Sequence, residues 1–121
     1  MRPYRVGVAC LLAAATSLPA FAATALSPSQ IKTQFGDGKP INGVAVPGGR
    51  RYSLTLNTDG TAQMTFLNDK SNQTGTWRVS KTGYCSKWGT KSEHCYTVEP
   101  NDKQDDVLDA SGTVIAHWTK G

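Results

Sequence analysis

Cys85 and Cys95, with His94 beside the second, are the first residues whose types could carry chemistry. A thiolate pair can do redox work, two thiolates and an imidazole can hold a metal, and two thiols can close into a structural bond. Redox pairs place their cysteines in a close Cys-x-x-Cys spacing that poises one thiolate for attack, and that spacing is absent here. Neighbouring residues of a strand point to opposite faces, which keeps His94 and Cys95 from sharing one ion. A structural staple is the remaining reading. If the two cysteines pair directly across a hairpin, Tyr84 faces Tyr96, Gly89-Thr90-Lys91 forms the tip, and so short a loop stabilises by roughly 2–3 kcal/mol.

The other reactive types are scattered. His94 shares a strand face with Tyr96 and Val98, whereas His117 lies opposite Val114 and Trp118, so surface or hydrogen-bonded histidines are expected; catalysis needs one beside a nucleophile. No serine stands in a Gly-x-Ser-x-Gly elbow. Asp102, Asp105, Asp106 and Asp109 mimic a calcium loop, but its sixth position is Val107 and its twelfth Thr113, where a glycine and a bidentate glutamate belong. They are expected in a solvated turn and strand edge. No phosphate-cradling glycine loop occurs. Catalytic residues, cofactors and metal ligands are therefore all expected to be absent. The residues best suited to recognition are Arg50-Arg51 at a loop-to-strand junction and a hairpin tip bearing Lys87, Trp88 and Lys91. An exposed Trp flanked by Lys suits a protein, glycan or anionic surface; in the alternative, Trp88 folds back to cap the fold.

These residues need elements to position them. Ala25 to Phe35 predicts a short helix with Ser27 as N-cap, Pro28 at its first position, an apolar stripe of Leu26, Ile31 and Phe35, and an end at Gly36-Asp37-Gly38. Beyond it hydrophobicity alternates with period two: Tyr52, Leu54 and Leu56; Ala62, Met64 and Phe66; Trp77 and Val79; and Val114, Ala116 and Trp118 against Ile115, His117 and Thr119. Asp59-Gly60 marks a hairpin tip, Asn68 to Asn72 a polar loop, and Ala110-Ser111-Gly112-Thr113 a second tip. Strands recur every eight to twelve residues with no room for crossover helices. The expectation is a mainly β single domain: a short N-terminal helix, then an antiparallel meander of 7–8 strands forming a small barrel or half-barrel. The aromatic face should lie inside, the Thr-rich face in water, and the helix over one end.

The chain's 121 residues carry 13 Lys+Arg against 9 Asp+Glu, a formal +4, with 38% hydrophobic and 18% charged residues. That excludes a multidomain enzyme, a coiled coil and a polytopic membrane protein. Much of the basicity sits in a leader: Arg2 and Arg5 precede an apolar run from Val6 to Ala20, and Ala20-Phe21-Ala22 supplies small residues for cleavage after Ala22. Residues 1–22 are expected to be a signal peptide and 23–121 an exported β-domain, periplasmic or secreted. Without Arg2 and Arg5 the balance is 11 against 9, or +2. No nucleic-acid partner is implied. Loss of Cys10 with the leader leaves Cys85 and Cys95 as the pair expected to close in an oxidising compartment.

Gly75-Thr76-Trp77, Cys85-Ser86-Lys87-Trp88, Cys95-Tyr96 and Gly112-Thr113-Val114-Ile115-Ala116, with the lead from Ile31 to Gly43, resemble a loose group of small exported proteobacterial proteins classed as domains of unknown function. The resemblance implies a β-rich secreted fold and brings no catalytic residues. Three functions follow as expectations. The first is a non-enzymatic, monomeric binding module for an unknown protein or envelope component. The second is a calycin-like small-ligand carrier with a cavity behind Tyr52, Met64, Phe66, Trp77 and Trp118. The third is a small hydrolase, which requires His94 or His117 within hydrogen-bond reach of Asp, Glu or Ser in a cleft.

Overall fold

The computed structural model describes residues 24–120; the expected signal peptide lies outside them. One helix, α1 (Pro28–Phe35), precedes eight strands: β1 (Ile41–Ala45), β2 (Arg51–Leu56), β3 (Thr61–Phe66), β4 (Asn72–Val79), β5 (Tyr84–Trp88), β6 (His94–Asn101), β7 (Gln104–Leu108) and β8 (Val114–Lys120). All neighbours pair antiparallel in chain order, and β1 pairs with β8 from Ile41↔Lys120 to Ala45↔Ala116, closing the barrel. Closure corrects one expectation about the acidic cluster. Asp105 and Asp106 do not line a sheet edge, because β7 is paired with β6 on one side and β8 on the other.

Period-two alternation builds the wall. Tyr52, Leu54 and Leu56 are buried on β2, as are Ala62 on β3, Trp77 on β4, Val98 on β6, Val107 on β7, and Ala116 and Trp118 on β8. The opposite rows, including Thr61, Gln63, Thr74, Thr76 and Lys87, form a polar outer face. One register shift departs from the expected alternation. A bulge at Val107/Leu108 sets Leu108 against Val114, and Ile115 then packs on the core and lines the interior instead of sharing the outer row of His117.

The helix seals one end. Ser27 Oγ accepts from the Gln30 N–H and Gln30 Oε1 accepts from the Ser27 N–H, a capping box that satisfies two orphan donors. Gly36 ends the helix, its N–H donating to the Ile31 and Lys32 carbonyls. Ile31 and Phe35 are fully buried, each stabilising by about 1.5–3 kcal/mol, and the Phe35 ring meets Trp118 edge-on at 5.1 Å. Ahead of the helix, the Leu26 N–H donates to the Val98 carbonyl. That carbonyl lies beyond the short stretch, Tyr84–Ser86 against Tyr96–His94, over which β5 and β6 pair. Thus the N-terminal segment fills a split in the wall.

Three turns share one chemistry. Asp59, Asp69 and Asp109 each accept, at Oδ1, both the backbone N–H and the hydroxyl of the residue two positions on: Thr61, Ser71 and Ser111. These Asp-x-Ser/Thr turns hold their carboxyls below the usual carboxylate range through those hydrogen bonds.

Candidate functional site

An antiparallel barrel gathers alternate loops at each end. The helix, the Asn57–Gly60 turn and the β6–β7 turn lie at the sealed end. The loops 46–50, 67–71, 89–93 and 109–113 all open at the other end, which is the mouth. Arg50 and the Lys87–Lys91 tip therefore share one end, on opposite sides of the rim, since β1–β2 and β5–β6 are half the barrel apart. Arg51 does not join them: it stands on the outer wall beside Val44, its register partner.

The expected staple is present. Cys85 and Cys95 are register partners and disulfide-bonded, and Tyr84 and Tyr96 stack across the same hairpin with centroids 5.3 Å apart. The Lys91 N–H closes the tip on the Trp88 carbonyl. Outside the disulfide, Arg78 donates to both carboxylate oxygens of Glu93, at 2.9 and 3.0 Å. Glu93 is the carboxylate nearest the two sulfurs, but with both sulfurs in the covalent bond they are not thiolate ligands.

Trp88 turns inward. It follows Tyr84 and Ser86 on the inner row of β5, is half-buried, and lines the interior. Gly75, its partner on β4, makes this possible, because a Cβ there would meet Trp88 Cε3 at 2.9 Å and the Lys87 carbonyl oxygen. Of the two sequence readings, the tip tryptophan capping the barrel is the one found, with Lys87 and Lys91 exposed. Across the rim, the Arg50 guanidinium lies 3.7 Å over the Phe66 ring and pairs with Asp69 at 3.1 Å. Met64, Phe66, Trp88, Tyr96 and Ile115 pack on the core yet remain half-exposed. Leu67, 50% exposed, stands in the loop just beyond Phe66. Among the described residues, Lys70, Lys87 and Lys91 form no ion pair, and neither does Asp109 of the same rim, so three unpaired lysines and one unpaired carboxylate stand beside apolar surface.

Inside the mouth lies a small cavity of about 70 Å³, walled by Leu54, Leu56, Val107, Met64 and aromatic rings, with Ser86 among them. A drug-sized ligand needs roughly 300 Å³ or more, so the side chains fill most of the interior a carrier would use.

The histidines sit apart. His94, in the row of Tyr96 and Val98, is exposed where β6 begins. His117 Nδ1 lies 2.7 Å from Asp106 Oδ1, its register partner, and 3.0 Å from the Gln104 amide. The Nδ1 role toward each of these two partners is set by the imidazole tautomer. The reach from a histidine to a carboxylate that a hydrolase requires is thus met, on the outer wall, where His117 lines a groove of about 280 Å³ with Asn42, Arg51 and Thr119. Among the described residues no hydroxyl is hydrogen-bonded to His117.

Sequence reasoning did not single out Ser86, Tyr96 or Leu67 as site residues, nor the pairing of His117 with Asp106. The inner row Tyr84-Ser86-Trp88 was the available signal for Ser86, a polar residue at a core position. His117 and Asp106 meet only through the β7–β8 register, which no local pattern encodes.

No helix among the described residues is long and apolar enough to cross a membrane. No family model, curated protein or solved structure matches the chain.

Proposed function

We propose that this protein is an exported, non-enzymatic binding module that engages a protein or cell-envelope partner with the mouth of its barrel. The observation that supports this reading is the contrast between the two ends. One is sealed by α1, while the other gathers half-exposed Met64, Phe66, Trp88, Tyr96 and Ile115 with exposed Leu67. Half-exposed aromatics beside Arg are the composition of interface anchors. The unpaired lysines of the rim favour an anionic partner surface. The disulfide suits an oxidising compartment, in keeping with the apolar leader of the sequence.

A photo-crosslinking side chain placed at Leu67, Lys91 or, as control, Lys103 in the β6–β7 turn tests this in the producing cell. The expected result is one discrete adduct from Leu67 and Lys91 and none from Lys103. Adducts from Lys103 alone, or no adduct together with turnover of an ester or glycan panel, would overturn it.

A further inference from the structure

Two hydroxyl-bearing side chains of β5, Tyr84 and Ser86, are each only 5% exposed and both line the 70 Å³ cavity. Neither hydroxyl has a hydrogen-bond partner among the described residues, although the other buried polar tips of the core do. The Trp77 indole donates to the Asn57 carbonyl and the Trp118 indole to Tyr52 Oη. An unpaired buried hydroxyl costs about 1–3 kcal/mol, so something else should occupy these two.

The cavity mixes hydrogen-bonding and apolar groups. Ser86 and Tyr84 supply donors and acceptors from one strand, and Tyr52 Oη, accepting from Trp118, still has its proton to donate. Toward the mouth Tyr96 of β6 brings a further hydroxyl and Trp88 an indole N–H, and the remaining wall is apolar: Leu54, Leu56 and Val107 in the depths, with Met64 and Ile115 above them. The volume suits about two waters or an organic group of roughly three or four heavy atoms. Nothing lining the cavity is a carboxylate, ammonium or guanidinium, so a charged guest would lose its hydration without a counter-ion.

We propose that this cavity is a binding subsite for one small uncharged group bearing a hydrogen-bonding atom on a short hydrocarbon, a small alcohol or amide. The group arrives either as a free molecule or on a side chain of the mouth's partner, and only the second source rests on the function proposed above.

Isopropanol and acetamide are the probes, with acetate as the charged control, titrated into the purified protein while the Met64 methyl and Trp88 indole signals are followed by NMR. Saturable shifts with both neutral probes and none with acetate are expected. Ser86→Val, which fills the space and removes the hydroxyl, should weaken binding tenfold or more. Tyr84→Phe keeps the shape and should weaken it several-fold, which guards against misfolding of the first variant. Non-saturating shifts, equal response to acetate, or unchanged affinity in both variants would overturn the proposal, as would a cavity holding ordered water only at every probe concentration. Crosslinking from Leu67 then separates the sources: its loss in Ser86→Val assigns the group to the partner, and its retention with probe binding lost assigns a free molecule. Retained probe binding with no partner adduct in the wild type would remove the mouth's protein or envelope partner and leave the subsite standing.

Discussion

Gly43→Ala is the substitution whose cost follows most directly from the barrel's geometry. Gly43 lies in β1 with Tyr52 on one side and Trp118 on the other as register partners. The indole of Trp118 donates to Tyr52 Oη at 3.0 Å across it, a bridge from β8 to β2 that straddles the closing seam. A Cβ at Gly43 would overlap Cε1 and Cζ of the Tyr52 ring and stand 2.7 Å from its oxygen. The ring has two responses. It can stay, with overpacking that costs about 1–3 kcal/mol, or swing away and leave the Trp118 N–H buried without a partner, at a similar 1–3 kcal/mol. Replacing a strand glycine returns roughly 0.5–1 kcal/mol of backbone entropy. The net loss is on the order of 1–2 kcal/mol, and a domain of this size loses about 4–8 °C in Tm per kcal/mol. Thermal and urea unfolding of four proteins, wild type, Gly43→Ala, Tyr52→Leu and the double variant, measure it. Leucine lacks the distal ring atoms, so in the Tyr52→Leu background only the entropy gain of about 0.5–1 kcal/mol remains, giving a coupling of about 1–3 kcal/mol. An equal cost in both backgrounds would refute the reasoning.

Two further predictions concern stability. Replacing both Cys85 and Cys95 by Ser opens a loop of sequence separation 10 and should lower stability by roughly 2–3 kcal/mol; an unchanged urea midpoint would contradict the staple. The pH profile should be a plateau falling on both sides. Asp37, held by Lys120, and Asp59, Asp69, Asp109 and Glu93 have lowered pKa values. Their contribution is present above the ordinary carboxylate range near pH 4 and is lost as pH falls through the folded values. Asp105, raised by burial, works in the opposite direction. Burial raises Tyr52, Tyr84 and Tyr96, Tyr84 most, so stability is retained below about pH 10 and lost above it as the unfolded chain ionises first. Urea midpoints across the pH range test this, and a midpoint still rising above pH 10 would sink the tyrosine argument.

Much of the fold is legible because its signals are local. Ser27-Pro28 with Gln30 defines the start of α1, Asp59-Gly60 a hairpin, and the Tyr52-Leu54-Leu56 row an inner face, each within a few residues. The disulfide followed from symmetry about one turn. By contrast, β1 was hidden: Ile41-Asn42-Gly43-Val44-Ala45 is short, and the glycine that interrupts its apolar row has its reason in Tyr52, on the neighbouring strand. The face of Ile115 was misassigned because a bulge depends on how β7 and β8 pair. The candidate site suffered most. Arg50 and Lys91 come to one end only through topology, and Ser86 acquires meaning only when the barrel closes around it.

The Lys120 ammonium, 2.7 Å from Asp37 just after the helix, fixes where the last described strand leaves the barrel. It leaves at the sealed end. A tag, surface anchor or reporter joined after it would project away from the rim, so protein immobilised through that end of β8 would present Leu67, Lys70 and Lys91 to solution. Joined instead within the Gly89–Lys91 tip, the same appendage would stand over the opening. Orientation on a solid support is therefore a choice the geometry makes available to anyone who wishes to fish with this molecule.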